Sequence, residues 1–190
     1  MSAPRTPPVG VLALQGDFAA HQRVIAGLGA EAREVRTPAD LAGIGALVLP
    51  GGESTTMTLG IEREGLGPPL RELTASGVPI LATCAGLILL DREHLGVLDM
   101  RAERNAFGRQ VRSFEADVAL DGFGEPLHAV FIRAPWVAEH GPGVEAIGEL
   151  DGHVIAVRSG RILAVAFHPE LAGETRLHRW LIEEAAAPAG

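Results

Sequence analysis

Residues 78–90 read Val-Pro-Ile-Leu-Ala-Thr-Cys-Ala-Gly-Leu-Ile-Leu-Leu. The apolar run Val78 to Thr83 has the length of a strand rather than a helix and reads as one buried on both faces. Ala85 to Leu90 follows as a helix that starts directly from Cys84. Small residues, Ala82 and Gly86, stand two positions from the thiol on either side. They let the chain turn sharply from strand into helix and lift the cysteine out of the sheet.

The same alternation extends outward from this segment. Val9 to Leu14 is an apolar run ending at Gly16-Asp17, after which Phe18, Ile25 and Leu28 recur at helical spacing until Gly29, with Asp17 as the expected N-cap. Glu31 to Arg36 reads as extended. Ala46 to Leu49 is a buried strand stopped by Pro50-Gly51-Gly52, with Ser54 expected to cap the next helix. Buried strands alternating with helices predict an α/β fold: a three-layer, doubly wound, mostly parallel sheet with helices on both faces.

The second half changes character. Val111 to Val118, Leu127 to Ile132, Val154 to Arg158 and Ile162 to Phe167 read as short strands, the last two joined by a hairpin turn at Ser159-Gly160. Antiparallel strands are therefore expected there. Glu174 to Ala187 closes the chain as an amphipathic helix carrying Leu177, Trp180 and Leu181 on one side. No internal repeat or linker interrupts the pattern, so residues 1–190 are expected to form one domain, with 1–8 and 186–190 as flexible tails.

Composition narrows the chemistry. The chain has 190 residues, 47% hydrophobic and 21% charged, which is enough apolar material for a core and argues against intrinsic disorder. Its single cysteine, Cys84, excludes an internal disulfide and any zinc or iron–sulfur site built from several thiolates. All 16 basic residues are arginine, so a Walker-A lysine and a Schiff-base lysine are excluded too. A net charge of -8 speaks against a general nucleic-acid surface. The weakly polar stretch Val78 to Leu90 falls short of the roughly 18 to 20 residues a membrane span needs. Val9 to Leu14 is too short for a signal-peptide core. A cytoplasmic protein with no membrane association is expected.

Cys84 has two possible fates. Free cysteines commonly serve as small buried hydrophobes; a thiol at a strand-to-helix elbow can instead be a nucleophile. A nucleophile needs a base, and His168 stands out among seven histidines because it ends an apolar strand and precedes Pro169-Glu170. Two residues apart in extended chain, Glu170 would share a side with His168 and orient its imidazole. Without a thiol nearby, the same pair would read as a strand-end histidine and a solvated glutamate. Gly51-Gly52 follows a buried strand, where open parallel sheets place ligands. Its N–H groups suit a phosphate or an oxyanion, and the missing lysine weakens the phosphate. Gly27-x-Gly29 follows a helix rather than a strand and is no dinucleotide fingerprint. Arg104, Arg109, Arg112 and Arg133 are candidate carboxylate clamps, Arg104 and Arg133 foremost.

Five segments carry a family resemblance: Gln15-Gly16-Asp17, Pro50 to Thr56, Thr83 to Leu87, Arg104 to Gln110 and Phe167 to Leu171. Together they resemble the glutaminase subunits of pyridoxal phosphate synthases, a branch of the class I glutamine amidotransferases with a flavodoxin-like fold. Ala82 departs from the glycine that many such elbows carry. The resemblance implies hydrolysis of L-glutamine by a triad of Cys84, His168 and Glu170 through a γ-glutamyl thioester. It also implies glutamine contacts at Gly52, Glu53, Ser54, Arg104, Ile132 and Arg133, and an oxyanion hole from Gly52 and Ala85. No cofactor or metal is implied. Ammonia would pass to a (β/α)8-barrel synthase subunit, docked near the Gln15 to His21 turn, and the isolated chain would be weakly active. Two alternatives remain: the glutaminase of another two-subunit synthase, such as that of imidazole glycerol phosphate, and a non-catalytic α/β module whose thiol is merely buried.

Overall fold

Through Leu89 the chain alternates strand and helix: β1 (Val9–Leu12), α1 (Phe18–Gly27), β2 (Ala32–Val35), β3 (Ala46–Leu49), α2 (Ser54–Arg63), α3 (Gly67–Ala75), β4 (Ile80–Thr83) and α4 (Ala85–Leu89). Strands then dominate: β5 (Met100–Glu103), β6 (Ser113–Val118), β7 (Leu127–Ile132), β8 (Trp136–His140), β9 (Glu145–Leu150), β10 (His153–Ser159) and β11 (Ile162–Val165), before the closing helix α5 (Arg176–Ala186). The computed structural model describes residues 7–107 and 113–187.

Nine strands form one sheet in the order β2-β1-β3-β4-β11-β10-β8-β5, with β9 paired to β10. The pairs β2-β1, β1-β3, β3-β4 and β4-β11 are parallel; the remainder are antiparallel. β6 and β7 form a separate antiparallel hairpin. The strand order reverses between β1 and β3, the position where doubly wound sheets open a crevice for ligands.

Side-chain alternation along the buried strands divides the core in two. From β3, Leu47 and Leu49 join Met57, Ile61, Leu66 and Leu70 on the side of α2 and α3. Ala46 and Val48 point the other way, into a cluster with Ile25 of α1, Phe131 of β7, and Leu177 and Leu181 of α5. Each strand is thus covered on both sides, which is why it reads as an unbroken apolar run.

The expected α/β architecture is present, with local differences. Glu53, not Ser54, caps α2: its extended backbone leaves the carboxylate free to accept from the N–H groups of Thr55 and Thr56, and Ser54 is already the first helical residue. Asp17 occupies the N-cap of α1 without a side-chain capping bond. β11 ends at Val165, two residues earlier than the apolar run, and the loop of its hairpin with β10 is Gly160-Arg161, closed by the pair Ser159 and Ile162. α5 runs from Arg176 to Ala186, starting two residues later and ending one earlier than the expected Glu174 to Ala187, and the Pro8 carbonyl accepts from Gly45 N–H. Val111, Arg112 and the segment Gly108 to Gln110, with Arg109, lie outside the described residues.

Candidate active site

β1, β3, β4 and β11 all point their C-terminal ends at one edge of the sheet, and the loops that follow them meet there. The loop after β1 crosses the loop after β3. Asp17 N–H donates to the Gly51 carbonyl at 3.0 Å, and Gln15 Oε1 accepts from Glu53 N–H at 2.7 Å. The crossing is so close that a Cβ on Gly16 would overlap the Gly51 carbonyl oxygen.

Cys84 sits between β4 and α4 with φ +48° and ψ −106°, a left-handed conformation that costs a non-glycine residue about 1–3 kcal/mol. The surroundings hold it there. Its N–H donates to Val165 O at 2.8 Å, continuing the parallel ladder, while α4 leaves in a new direction over β3. Gly86 permits that passage, because a Cβ there would collide with the Leu49 carbonyl. The thiol is buried and lies 3.8 Å from the Ile132 carbonyl.

His168 arrives from β11 and is anchored by its N–H to Val130 O at 2.8 Å. Its Nδ1 stands 2.7 Å from Glu170 Oε1, both side chains being buried. The expected apposition is present but its cause differs. Pro169–Leu171 is a turn of 3-10 helix, so the two side chains meet across a bend rather than by alternation along a strand. Asp17 Oδ2 lies 3.6 Å from the same Nδ1. Gly51 packs against the imidazole, and a Cβ there would stand 2.8 Å from Nδ1. Burial opposes a charge on His168, but hydrogen bonds and charges of Cys84 and Glu170 outweigh it and raise its pKa to about 10. His168 is therefore protonated near neutral pH, with Cys84 and Glu170 beside it.

In front of Cys84 lies a cavity of about 300 Å³, lined by Gly52, Glu53, Ser54, Ala85, Arg104, Ile132, Arg133 and His168, together with Gln15, Gly16, Asp17, Ile88 and Asn105. Every residue named for glutamine contact or the oxyanion is therefore on its wall, and Glu170 stands behind His168. The Glu53 carboxylate is committed to the α2 N-terminus, where hydrogen bonds from Thr56 hold its pKa below the ordinary value. Arg104 donates to Thr55 Oγ1 at 3.0 Å and to His94 Nε2 at 3.1 Å, neither of them a carboxylate, so the guanidinium is fixed in place without an ion pair to either. His94 is held in turn by buried Asp91 at 2.7 Å. Arg133 adopts φ +44° at the end of β7, which turns it toward the cavity mouth.

Sequence reasoning passed over Ile88, Asn105 and His94, and it placed His21 at a partner surface. His21 is instead fully buried behind Glu170. One signal was available: Phe18, His21, Ile25 and Leu28 share helical spacing, which puts His21 on the inward face of α1. Among the described residues, Asp17, His168 and Glu170 could converge on a cation, with ligand atoms within 4.8 Å of one another. A cation there would take the Nδ1 that His168 turns to Glu170.

Comparison with known proteins agrees with this geometry. Likeness at the elbow alone would be weak evidence, but the match is global: the model of the SNO glutamine amidotransferase family covers residues 11–187. "Pyridoxal 5'-phosphate synthase subunit PdxT" of Pelotomaculum thermopropionicum is 51% identical, covering 93% of this chain and 94% of the relative. The protein of that name in Acidothermus cellulolyticus is 50% identical, covering 96% of both chains. A solved glutamine amidotransferase superposes with TM-score 0.88 at 45% identity, over 94% of this chain and 99% of the other. A chain of PurLQS from Thermotoga maritima shares the fold at TM-score 0.77 and 16% identity, over 95% and 98% of the two chains. With its thiol at a strained elbow, a buried histidine and carboxylate beside it, and a family match from the first strand to the last helix, the chain belongs to the SNO glutamine amidotransferase family.

Proposed function

We propose that this chain hydrolyses L-glutamine to L-glutamate and ammonia as the ammonia-supplying subunit of a pyridoxal 5'-phosphate synthase. The observation that carries the mechanism is the placing of Cys84 and His168 at the wall of one amino-acid-sized cavity, with Glu170 held against His168 from behind. The Cys84 thiolate attacks the side-chain amide carbon, and N–H groups of Gly52 and Ala85 receive the oxyanion. The C–N bond then breaks, the His168 imidazolium gives its proton to the departing nitrogen, and a γ-glutamyl thioester remains.

Thioester formation changes the base. The influence of Cys84 is the first among those that raise the His168 pKa, and it disappears once the sulfur is acylated. His168 is then neutral and takes a proton from water, whose oxygen attacks the thioester. Collapse of the adduct breaks the C–S bond, releases glutamate and restores the thiolate–imidazolium pair. Arg104 holds the substrate α-carboxylate throughout, with Glu53, Ser54, Ile132 and Arg133 completing the glutamine site.

Ammonia is protonated in neutral water and cannot then attack a carbonyl, so productive transfer calls for a sealed path into the (β/α)8-barrel partner. With no lysine on this chain, the carbonyl-condensing amines belong to that partner. The relatives named above share the pyridoxal phosphate role, which favours it over imidazole glycerol phosphate synthase. One amidotransferase domain over residues 1–190, in a reducing cytoplasm that keeps Cys84 a free thiol, is part of the same reading. Glutamate release measured with the barrel subunit present tests it: Cys84→Ala should abolish release, and retained release overturns the mechanism. Co-purification with a different barrel overturns the pathway assignment.

A further inference from the structure

Behind the triad lies a second layer of histidines. Glu170 uses Oε1 on His168, while its Oε2 is buried without a hydrogen-bond partner and faces His21 Nε2 at 3.4 Å. His21 Nε2 is also 3.2 Å from Thr83 Oγ1, on the residue preceding Cys84. On its other side, His21 Nδ1 meets His178 Nε2 of α5 at 2.8 Å. His21, Thr83 and His178 are all fully buried, and His178 Nδ1 has no partner.

We propose that His21 is a positioning residue for glutamine hydrolysis: held by His178 as its Nε2–H tautomer, it aims that proton at Thr83 Oγ1 and Glu170 Oε2 and so locks the carboxylate that orients His168. The inference rests on the triad reading above and extends it by one layer.

Counting protons selects this tautomer. The groups facing His21 are His178 from α5, Glu170 and His168 from the loop after β11, and Thr83 from β4. Burial, then His178 and His168, hold His21 well below its ordinary pKa, and burial lowers His178 to about 4, so each ring carries one proton. If His21 held its proton on Nδ1, it would donate to His178 Nε2. His178 would then bury an N–H on Nδ1 with nothing to accept it, and Glu170 Oε2 would face a bare nitrogen lone pair. With the proton on Nε2, His178 donates to His21, His21 points its N–H toward Thr83 and the carboxylate oxygen 3.4 Å away, and the Nδ1 of His178 is left as an unpaired acceptor. A buried unpaired donor and a carboxylate–lone-pair contact are replaced by one unpaired acceptor. Thr83 ties the same proton to the elbow, so the bases of nucleophile and orienter share one anchor.

Long-range ¹H–¹⁵N correlation spectra of the histidine-labelled full chain near neutral pH read the tautomers without turnover. The expected result is protonated Nε2 and bare Nδ1 on both His21 and His178; an Nδ1–H form of His21 overturns the proposal. With the barrel subunit present, His21→Leu should lower kcat about 10- to 100-fold, as loss of an orienting partner does, with KM within about twofold. His21→Gln, whose amide N–H falls near Nε2, should recover most of it. A folded His21→Leu with unchanged kcat, or equal loss in Leu and Gln, overturns the proposal. If His21→Leu does not fold, the wild-type spectra decide. Activity surviving in Cys84→Ala would instead strike the triad itself, and the tautomer measurement stands apart from that outcome.

Discussion

His168 and Glu170 meet at 2.7 Å across Pro169, the residue that begins the 3-10 turn between them. The proline fixes the bend, and the bend fixes the tautomer: Nδ1–H faces Glu170, which leaves Nε2 for Cys84 and the substrate. Glu170→Gln removes the acceptor's charge at constant size. Its kcat for glutamine should fall about 10²- to 10⁴-fold with KM little altered, measured as glutamate release with the partner present.

The protonated imidazole of His168 sets an alkaline limit. His168 has a folded pKa of about 10, above its ordinary 6.5, so its contribution to stability is complete below about pH 6.5 and is lost as pH rises through about 10. The gap in unfolding free energy between the wild type and His168→Gln should therefore be widest below neutrality and narrow toward pH 10, by a few kcal/mol on the order of the shift. The alkaline limb of kcat/KM should fall in the same region. A gap independent of pH would contradict the pairing.

Buried neutral histidines make the opposite demand in acid. His178 is lowered by burial to about 4, so the unfolded chain binds a proton that the folded chain refuses between pH 6.5 and 4. Stability should fall by about 3 kcal/mol across that window from this residue alone, and urea melts should show that loss reduced in His178→Phe.

Arg104 is held by Thr55 and His94 and faces the cavity. Removing its charge in Arg104→Ala should raise KM for glutamine about 10- to 100-fold, the equivalent of roughly 1.5–3 kcal/mol for a charged hydrogen bond, with a smaller effect on kcat. Steady-state kinetics separate the two.

Gly51 lies against the His168 ring, where a Cβ would press on the imidazole. Gly51→Ala should leave the fold intact by circular dichroism yet reduce kcat about tenfold or more, because displacement of a catalytic group by about 1 Å is costly. Retained kcat would mean that the ring relocates without penalty.

Runs of like character were legible in the sequence. Ala46–Leu49 and Leu127–Ile132 match to the residue, the first because an unbroken aliphatic run buried on both faces reads only as a strand, the second because Leu127, Ala129 and Phe131 are buried in alternation with less buried neighbours. The elbow at Cys84 was legible from its small neighbours. β8 and β9 were not: Trp136–His140 and Glu145–Leu150 carry polar ends, and Gly148 interrupts β9 because a Cβ there would strike Leu120. Such strands owe their form to neighbours that local pattern does not display. The α2 cap went to Glu53 rather than Ser54 for a related reason, since Gln15, 38 residues upstream, grips the Glu53 backbone. His21 was hidden because a polar residue on an apolar helix face means nothing until Glu170 is placed behind it.

β11 lies inside the sheet, between β4 and β10, yet it is the last strand to be synthesised. A nascent chain that has emerged as far as β10 carries the thiol without its base, and exposes the open edge of β4. Only when residues beyond Ile162 leave the ribosome can that edge close and His168 reach Cys84. Synthesis therefore supplies its own timing device: a chain that stalls before β11 lacks His168 and Glu170 and presents an unpaired, apolar strand that quality control can recognise.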